Sequence, residues 1–333
     1  MGRLKVALLG LSGVGEDYLA AIRSDERFDL LAVADSDLET ARRHAEGSTT
    51  RAYGDYRSLI VETTRDGLDL LFVALEPFQS AGFMEMAAMQ RIGVFHKSPF
   101  ARDATEAQRL VGCFAEHGCP LAVSRWWQHE PAFQPLFNLT EPAGRVFAAT
   151  AEVRTGDTPV GWRGEWTRAG GGVLLNGAYE ILDLLIHLLG LPETVYARCV
   201  SAAVPGASRN YDTEDVAIVS LDFSRDRTAS LIAWRGSPQP SWQATLLMTD
   251  QTMALCSDGL TITHHGGGPA GHYAVRTANP VWAAIIAFAE LRLSGAPKFA
   301  AAAHEHLATM AVIEAAYLAA KTGAPESPRR FLG

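Results

Sequence analysis

Residues 6–9, Val-Ala-Leu-Leu, run straight into Gly10-Leu11-Ser12-Gly13-Val14-Gly15, and an amphipathic stretch opening with Glu16-Asp17 follows. A short apolar run bounded by a glycine turn predicts a buried strand, and the periodic stretch after it a helix. The alternation continues to residue 123, with strands expected at 5–9, 30–34, 68–74, 94–95 and 121–123. Helices are expected between them at 16–23, 38–46, 81–90 and 105–116. A helix between two strands carries the chain back across one face of the sheet, so the strands run parallel and both faces are covered. The first third of the chain is therefore constrained to an α/β layer fold.

From about residue 146 the pattern changes to longer alternating runs at 147–155, 194–201, 215–223, 228–234, 243–248, 252–256 and 260–263. Alternation of this kind predicts a large, mostly antiparallel open sheet with one covered face. Residues 281–293 and 300–321 close the chain as helices, ending before Gly323. With 333 residues there is material for two cores. The expected division falls at residue 124, with an α/β layer domain over 1–124 and an open-sheet domain over 125–333, its closing helices free to pack back on the first.

Net charge is −8 and no basic run occurs, which argues against nucleic acid or an anionic membrane as partner. No apolar run approaches the roughly 20 residues of a membrane span. The apolar start reads as a first strand rather than a signal peptide, because the glycine turn and Glu16-Asp17 follow at once. Cys113, Cys119, Cys199 and Cys256 lack metal-ligand spacing, so reduced thiols in a cytoplasmic protein are expected. No metal site is expected either. His264-His265 leads into Gly266-Gly267-Gly268 and reads as a hairpin loop; His304 and His306, if helical, point about 200° apart.

The turn at Gly10–Gly15 departs from the dinucleotide fingerprint only at Ser12, where a third glycine is expected. A diphosphate is expected on the N-terminus of the helix that begins at the turn, where free N–H groups and the helix dipole favour an anion. The second strand ends at Asp35, 20 residues after Gly15, where a carboxylate can hold a ribose diol and would repel a 2′-phosphate. Ser36 and Asp37 follow with no adjacent arginine, so NAD is favoured over NADP.

A second cluster runs from Gly170-Gly171-Gly172 through Val173, Leu174, Leu175, Asn176, Gly177, Ala178, Tyr179, Glu180, Ile181 and Leu182 to Asp183. It reads as a glycine-rich entry into a buried apolar helix. At roughly 100° per residue, Asn176, Tyr179, Glu180, Asp183 and His187 share one face of that helix. Polar groups on a buried helix need partners or a cleft, so this stripe is either an active site or an internal hydrogen-bond network. Arg125-Trp126 after the last parallel strand, and Trp162-Arg163 before the glycines, suit the apolar face and hydroxyls of a sugar-like ligand. Trp127 and Trp166 fit an inter-domain core equally well.

In order, the segments Gly10–Gly15, Ala32-Val33-Ala34-Asp35, Gly93-Val94-Phe95-His96-Lys97-Ser98-Pro99, Gly170–Asp183, Thr213-Glu214-Asp215 and Val312-Ile313-Glu314-Ala315-Ala316-Tyr317 resemble the Gfo/Idh/MocA oxidoreductases along nearly the whole chain. The resemblance implies a dinucleotide-binding Rossmann domain over 1–124 followed by an open-sheet α/β substrate-binding and oligomerisation domain over 125–333, and a homodimer or homotetramer paired through that sheet. It implies hydride transfer between a nicotinamide and a hydroxyl or carbonyl of a sugar, cyclitol or related small molecule. Lys97 matches the lysine that relatives place beside the reacting oxygen, although His96 stands where they have Glu and Ser98 is inserted before the proline. Ala74, Leu75 and Glu76, after the third strand, fall where relatives contact the cofactor, again without the usual Thr-Pro-Asn and His.

On the helix, Asn176 and Asp183 match the family's polar positions, Ala178 replaces a glycine, and Glu180 stands where the acid/base histidine is usual. His187 lies roughly 10 Å further along and cannot take its place. The proton acceptor is thus left open between Glu180, His96 and a water. Two alternatives to a dehydrogenase or reductase stay open: a catalytically silent NAD-binding sensor, raised by the missing histidine and by Ser12, and an NAD-using enzyme without net redox change.

Overall fold

The computed structural model describes residues 3–137, 146–201, 210–224, 226–267, 270–275, 280–294 and 302–333. The chain divides into two compact units. The first comprises Met1–Ala101, Glu106–Trp126 and Asn279–Glu305; the second comprises Arg102–Thr105, Trp127–Ala278 and His306–Gly333.

The first unit is built from β1 (Leu4–Leu9), α1 (Val14–Ser24), β2 (Phe28–Ala34), α2 (Leu38–Ala45), β3 (Arg51–Tyr53), α3 (Tyr56–Arg65), β4 (Leu70–Val73), α4 (Pro77–Met89) and β5 (Gly93–His96). Helix α5 (Ala104–His117) and β6 (Leu121–Val123) complete the alternation. The strands lie in the order β3-β2-β1-β4-β5-β6, with every neighbouring pair parallel. The order reverses between β1 and β4, and a crevice for ligands opens beyond the C-terminal ends of strands at such a reversal. Gly10 and Ala74, which follow β1 and β4, stand at that point.

The Rossmann core is aromatic. Tyr18, Phe28, Phe72 and Phe95 are buried with edge or tilted ring contacts. Phe288 of a late helix, α10 (Pro280–Ser294), adds its ring against Phe72 and Phe95, so this unit is completed by residues from the far end of the chain. Sequence periodicity misses β3 and α3. A three-residue edge strand is too short to show a period, and α3 is announced only by Asp55, whose carboxylate accepts the Ser58 N–H at 2.8 Å as a helix cap.

The second unit opens with the short helix α6 (Gln134–Phe137) and strand β7 (Val146–Arg154). Its remaining strands are β8 (Thr194–Val200), β9 (Val216–Phe223), β10 (Arg227–Trp234), β11 (Ser241–Met248), β12 (Gln251–Cys256), β13 (Gly259–His264) and β14 (Gly271–Ala274). They form one sheet in the order β14-β13-β12-β11-β7-β10-β9-β8, antiparallel except between β7 and β10. Ala149, Ala151 and Val153 of β7 point to the covered face, while Thr150 and Glu152 point to the other, the period of two expected of a half-buried strand. Strand β14 went unrecognised in the sequence; Gly268 of the expected hairpin loop lies outside the described residues, as do Ala300 and Ala301 of the last expected helix. That helix is seen as α11 (Ala302–Thr322).

The single helix expected after the glycine entry at residues 170–172 is broken. The chain forms α7 (Trp166–Ala169), α8 (Val173–Asn176) and α9 (Tyr179–Leu189), and the axis bends by 58° between the segment ending at Asn176 and α9. Gly177 sits at the bend, where an added Cβ would meet the Thr155 side chain at 2.8 Å and the Val173 carbonyl at 2.9 Å. The polar stripe is therefore not one helical face.

Candidate active site

In the first unit β1 delivers the chain into the glycine loop with its backbone folded on itself. Gly10 has φ +85°, and a Cβ at Gly15 would lie 2.2 Å from the Gly10 carbonyl oxygen, a contact only glycine permits. Gly13 is the N-cap of α1 and no side chain caps the helix, while Ser12 and Gly13 are exposed. The Leu11 N–H donates to Asp35 Oδ2 at 3.0 Å, and the Asp37 N–H donates to Asp35 Oδ1 at 3.0 Å. Asp35 is thereby fixed at the end of β2, across from the loop.

An uncapped helix N-terminus beside a glycine turn fits a diphosphate, and a carboxylate with spare lone pairs fits a ribose diol. The residues present fit NAD. Val14 begins α1, and Ser36 follows Asp35; Ala74 is tied to β1 by its N–H to the Leu9 carbonyl at 2.9 Å, and Leu75 packs under Gly10.

Lys97 follows β5, and its ammonium pairs with Glu76 at 2.7 Å. Both side chains are partly exposed. His96 requires a correction. Its ring is fully buried, Nδ1 lies 2.5 Å from the Lys97 carbonyl and Nε2 lies 2.8 Å from Ser80 Oγ. A carbonyl only accepts, so Nδ1–H donates to it and Nε2 accepts from the serine, which is the neutral tautomer. Burial pushes the imidazole down to about 3, with the Lys97 charge adding to the same effect. His96 is thus a brace for the Lys97 backbone and not an exchangeable proton acceptor.

In the second unit the glycine run is gripped by a carboxylate that sequence reasoning assigned no role. Glu214 is buried; its Oε2 accepts the Gly172 N–H at 2.6 Å, and its Oε1 accepts the Leu174 N–H at 2.9 Å and the Tyr317 hydroxyl at 3.1 Å. Burial pushes this carboxyl up, and those donors oppose the shift. Arg235 pairs with Asp215 at 3.1 Å and also donates to Thr213 Oγ1 at 3.0 Å and to the Glu214 carbonyl, which locks the Thr213-Glu214-Asp215 segment. The available signal was that segment's place in the family pattern.

Around this grip the candidate residues separate. Asn176 donates its amide to the Gly171 carbonyl at 2.8 Å and so staples the glycine turn. Tyr179, expected to bind substrate, is buried with its hydroxyl 3.0 Å from His306 Nδ1 and its ring stacked on that imidazole. Asp183 is buried too, accepting the Thr309 hydroxyl at 2.6 Å with His306 Nδ1 3.5 Å away. Tyr179 and Asp183 are members of an internal α9–α11 network, one of the two readings open for the stripe. Glu180 differs from them: it sits in the first turn of α9 and is partly exposed.

Arg125 is buried and ion-paired with Glu305. Its guanidinium is thus engaged within the first unit. Trp126 is partly exposed. Arg163 is exposed with its guanidinium 4.5 Å over the Trp162 ring, a stacked pair on the surface of the second unit.

Strand order, glycine loop and Asp35 define a dinucleotide-binding Rossmann protein joined to an open-sheet α/β unit. Residues 4–125 match the model of an oxidoreductase family with an NAD-binding Rossmann fold, and residues 142–256 match the GFO/IDH/MocA C-terminal domain. The chain belongs to the Gfo/Idh/MocA oxidoreductases, and it is an NAD-binding member.

Among its relatives is the D-apiose dehydrogenase of Paraburkholderia graminis, 25% identical over 96% of this chain and 88% of that protein. The D-apiose dehydrogenase of Rhizobium rhizogenes is 22% identical over 97% of both chains. The fold is shared with an oxidoreductase from Agrobacterium radiobacter in complex with NAD+, L-tartaric acid and magnesium, at a TM-score of 0.82 and 20% identity over 99% of this chain and 100% of that one.

Proposed function

We propose that this protein is an NAD-preferring dehydrogenase or reductase acting on a CH–OH or carbonyl group of a sugar, with a small aldose such as D-apiose the first candidate. The observation that carries the reading is Lys97: it stands at the end of β5 with its ammonium held by Glu76 and its carbonyl held by His96. When bound, NAD supplies the hydride acceptor or donor. Lys97 orients and polarises the reacting oxygen, since a fixed ammonium stabilises charge developing there. Glu180 exchanges the hydroxyl proton in place of the family's histidine. Trp162 and Arg163 present a flat apolar face and a multiple donor, the pairing that suits a sugar.

The protein is further proposed to work as a homo-oligomer in the cytoplasm. The open face of its sheet carries Tyr196, Val200 and Ile218, all large and exposed, with Ile232 beside Ile218 in register. Exposed apolar surface of this kind is the usual mark of a protein interface. All four cysteines are free thiols.

The reading is tested by titrating the protein with NADH and NADPH through nicotinamide fluorescence, then assaying D-apiose, other aldoses and cyclitols. Tight NADH binding with turnover supports it. NADH binding with no turnover on any of them favours the silent sensor, a reading supported by the commitment of Asn176 and Asp183 to internal hydrogen bonds.

A further inference from the structure

Four backbone donors around Asp35 are engaged. The Asp35 N–H donates to the Tyr53 carbonyl at 3.2 Å, the Asp37 N–H to Asp35 Oδ1 at 3.0 Å, and the Leu11 N–H to Asp35 Oδ2 at 3.0 Å. The Ser36 N–H has a different kind of partner: it donates to the phenol oxygen of Tyr56 at 3.1 Å. Tyr56 is the first residue of α3, is half-buried, and packs its ring edge-on against Phe83 of α4 at 5.3 Å. The phenol is therefore held in place from α3 and α4 while it occupies a donor on the loop after β2.

A 2′-phosphate differs from a ribose hydroxyl in being a multiply charged acceptor that needs N–H donors or cations. Asp35 repels it by charge. We infer that Tyr56 is a second determinant of dinucleotide choice, because it withholds the Ser36 N–H that a 2′-phosphate would require. The inference rests on the NAD-preferring reading above and adds to it a residue 21 positions beyond Asp35 in the chain. Tyr56 acts through the Ser36 amide and is a positioning residue.

The test is a set of four proteins: wild type, Tyr56→Phe, Asp35→Ser and the double variant. Each is titrated with NADH and with NADPH by fluorescence, and each is melted thermally to confirm folding. Freeing the exposed Ser36 N–H for one hydrogen bond to an anionic group is worth about three- to tenfold in affinity. The double variant is expected to bind NADPH tighter than Asp35→Ser by that factor, with NADH affinity changed less than about twofold. If Asp35→Ser fails to fold, the single Tyr56→Phe carries the test through a fall in the NADH-to-NADPH preference.

An unchanged NADPH affinity overturns the inference, and so does a parallel shift of both dinucleotides, which is what a merely structural role produces. A wild-type protein that binds both dinucleotides alike overturns the NAD-preferring reading itself, and that result is visible before any variant is made.

Discussion

The ammonium of Lys97 lies 2.7 Å from Oε2 of Glu76, and the two residues are joined a second time through their backbones. The Lys97 carbonyl accepts from His96 Nδ1–H at 2.5 Å, His96 Nε2 accepts from Ser80 Oγ at 2.8 Å, and the Ser80 N–H donates to the Glu76 carbonyl at 3.0 Å. The circuit closes over the loops after β4 and β5 and fixes the lysine at both ends. Preorganisation of this kind removes reorganisation at the moment charge develops on a reacting oxygen.

Lys97→Ala is accordingly expected to lower turnover by about 10²-fold or more while NADH affinity stays within a few-fold of wild type. Glu76→Gln keeps the lysine but loosens its ammonium, and a smaller loss in the same direction follows. Turnover is read by NADH absorbance on whichever aldose proves active. Full activity in Lys97→Ala removes the lysine from the mechanism.

Gly15→Ala places a Cβ 2.2 Å from the Gly10 carbonyl oxygen, where backbone must yield to backbone. The loop cannot keep its shape around that atom. NADH affinity is expected to fall by at least about tenfold, since a diphosphate depends on the loop's close approach. Retention of wild-type affinity in a fluorescence titration contradicts the loop's assigned role.

Glu214→Ala leaves the N–H groups of Gly172 and Leu174 and the Tyr317 hydroxyl without their buried acceptor. Each unsatisfied buried group costs about 1–3 kcal/mol, so a loss of about 3 kcal/mol or more is expected in urea unfolding. Glu214→Gln retains an acceptor oxygen and loses less. Wild-type stability in Glu214→Ala would show that the grip on the glycine run contributes little.

The layers of the fold were legible because their signals are local. The apolar run before Gly10 and the spacing to Asp35 announce a parallel sheet and its nucleotide loop, and alternation after residue 146 announces the second sheet. Helical period assumes an unbroken helix, while Gly177 bends the chain against Thr155, so Asn176 leaves the helix that carries Tyr179, Glu180, Asp183 and His187. Tyr179 and Asp183 found their partners on α11, more than 120 residues away, and no spacing rule reaches that far. The same holds for the brace on Lys97. His96 closes β5 and Ser80 stands in the first turn of α4, 16 residues apart in the chain, and they meet at 2.8 Å.

His96 gives the folded state a definite acid response. Its imidazole is held neutral with its folded value lowered to about 3, whereas an unfolded histidine takes up a proton near 6.5. Between those values the unfolded state binds the proton and the folded state does not, so stability contributed at neutral pH declines as pH falls from about 6.5 toward about 3. His96→Asn cannot titrate, and its unfolding free energy should fall less than that of the wild type between pH 7 and pH 4. Parallel pH profiles for the two proteins would exclude His96 as a source of the acid sensitivity.

The proton exchange proposed for Glu180 is open to a direct test. Oxidation of an alcohol releases a hydroxyl proton, and the family's helix histidine is replaced here by a carboxylate in the first turn of α9. Of the polar residues on that segment, Tyr179 and Asp183 are sealed into the α9–α11 network, and Asn176 is tied to the glycine turn. Glu180 is partly exposed and can meet a ligand from outside the core. Glu180→Gln preserves size and polarity but cannot accept a proton, so kcat is expected to fall by about 10²-fold with NADH affinity and melting temperature held. Glu180→His restores the family's residue and should recover activity. A fully active Glu180→Gln variant would transfer the proton step to water, and a Glu180→His variant that gains activity over wild type would show that the replacement itself lowered the rate.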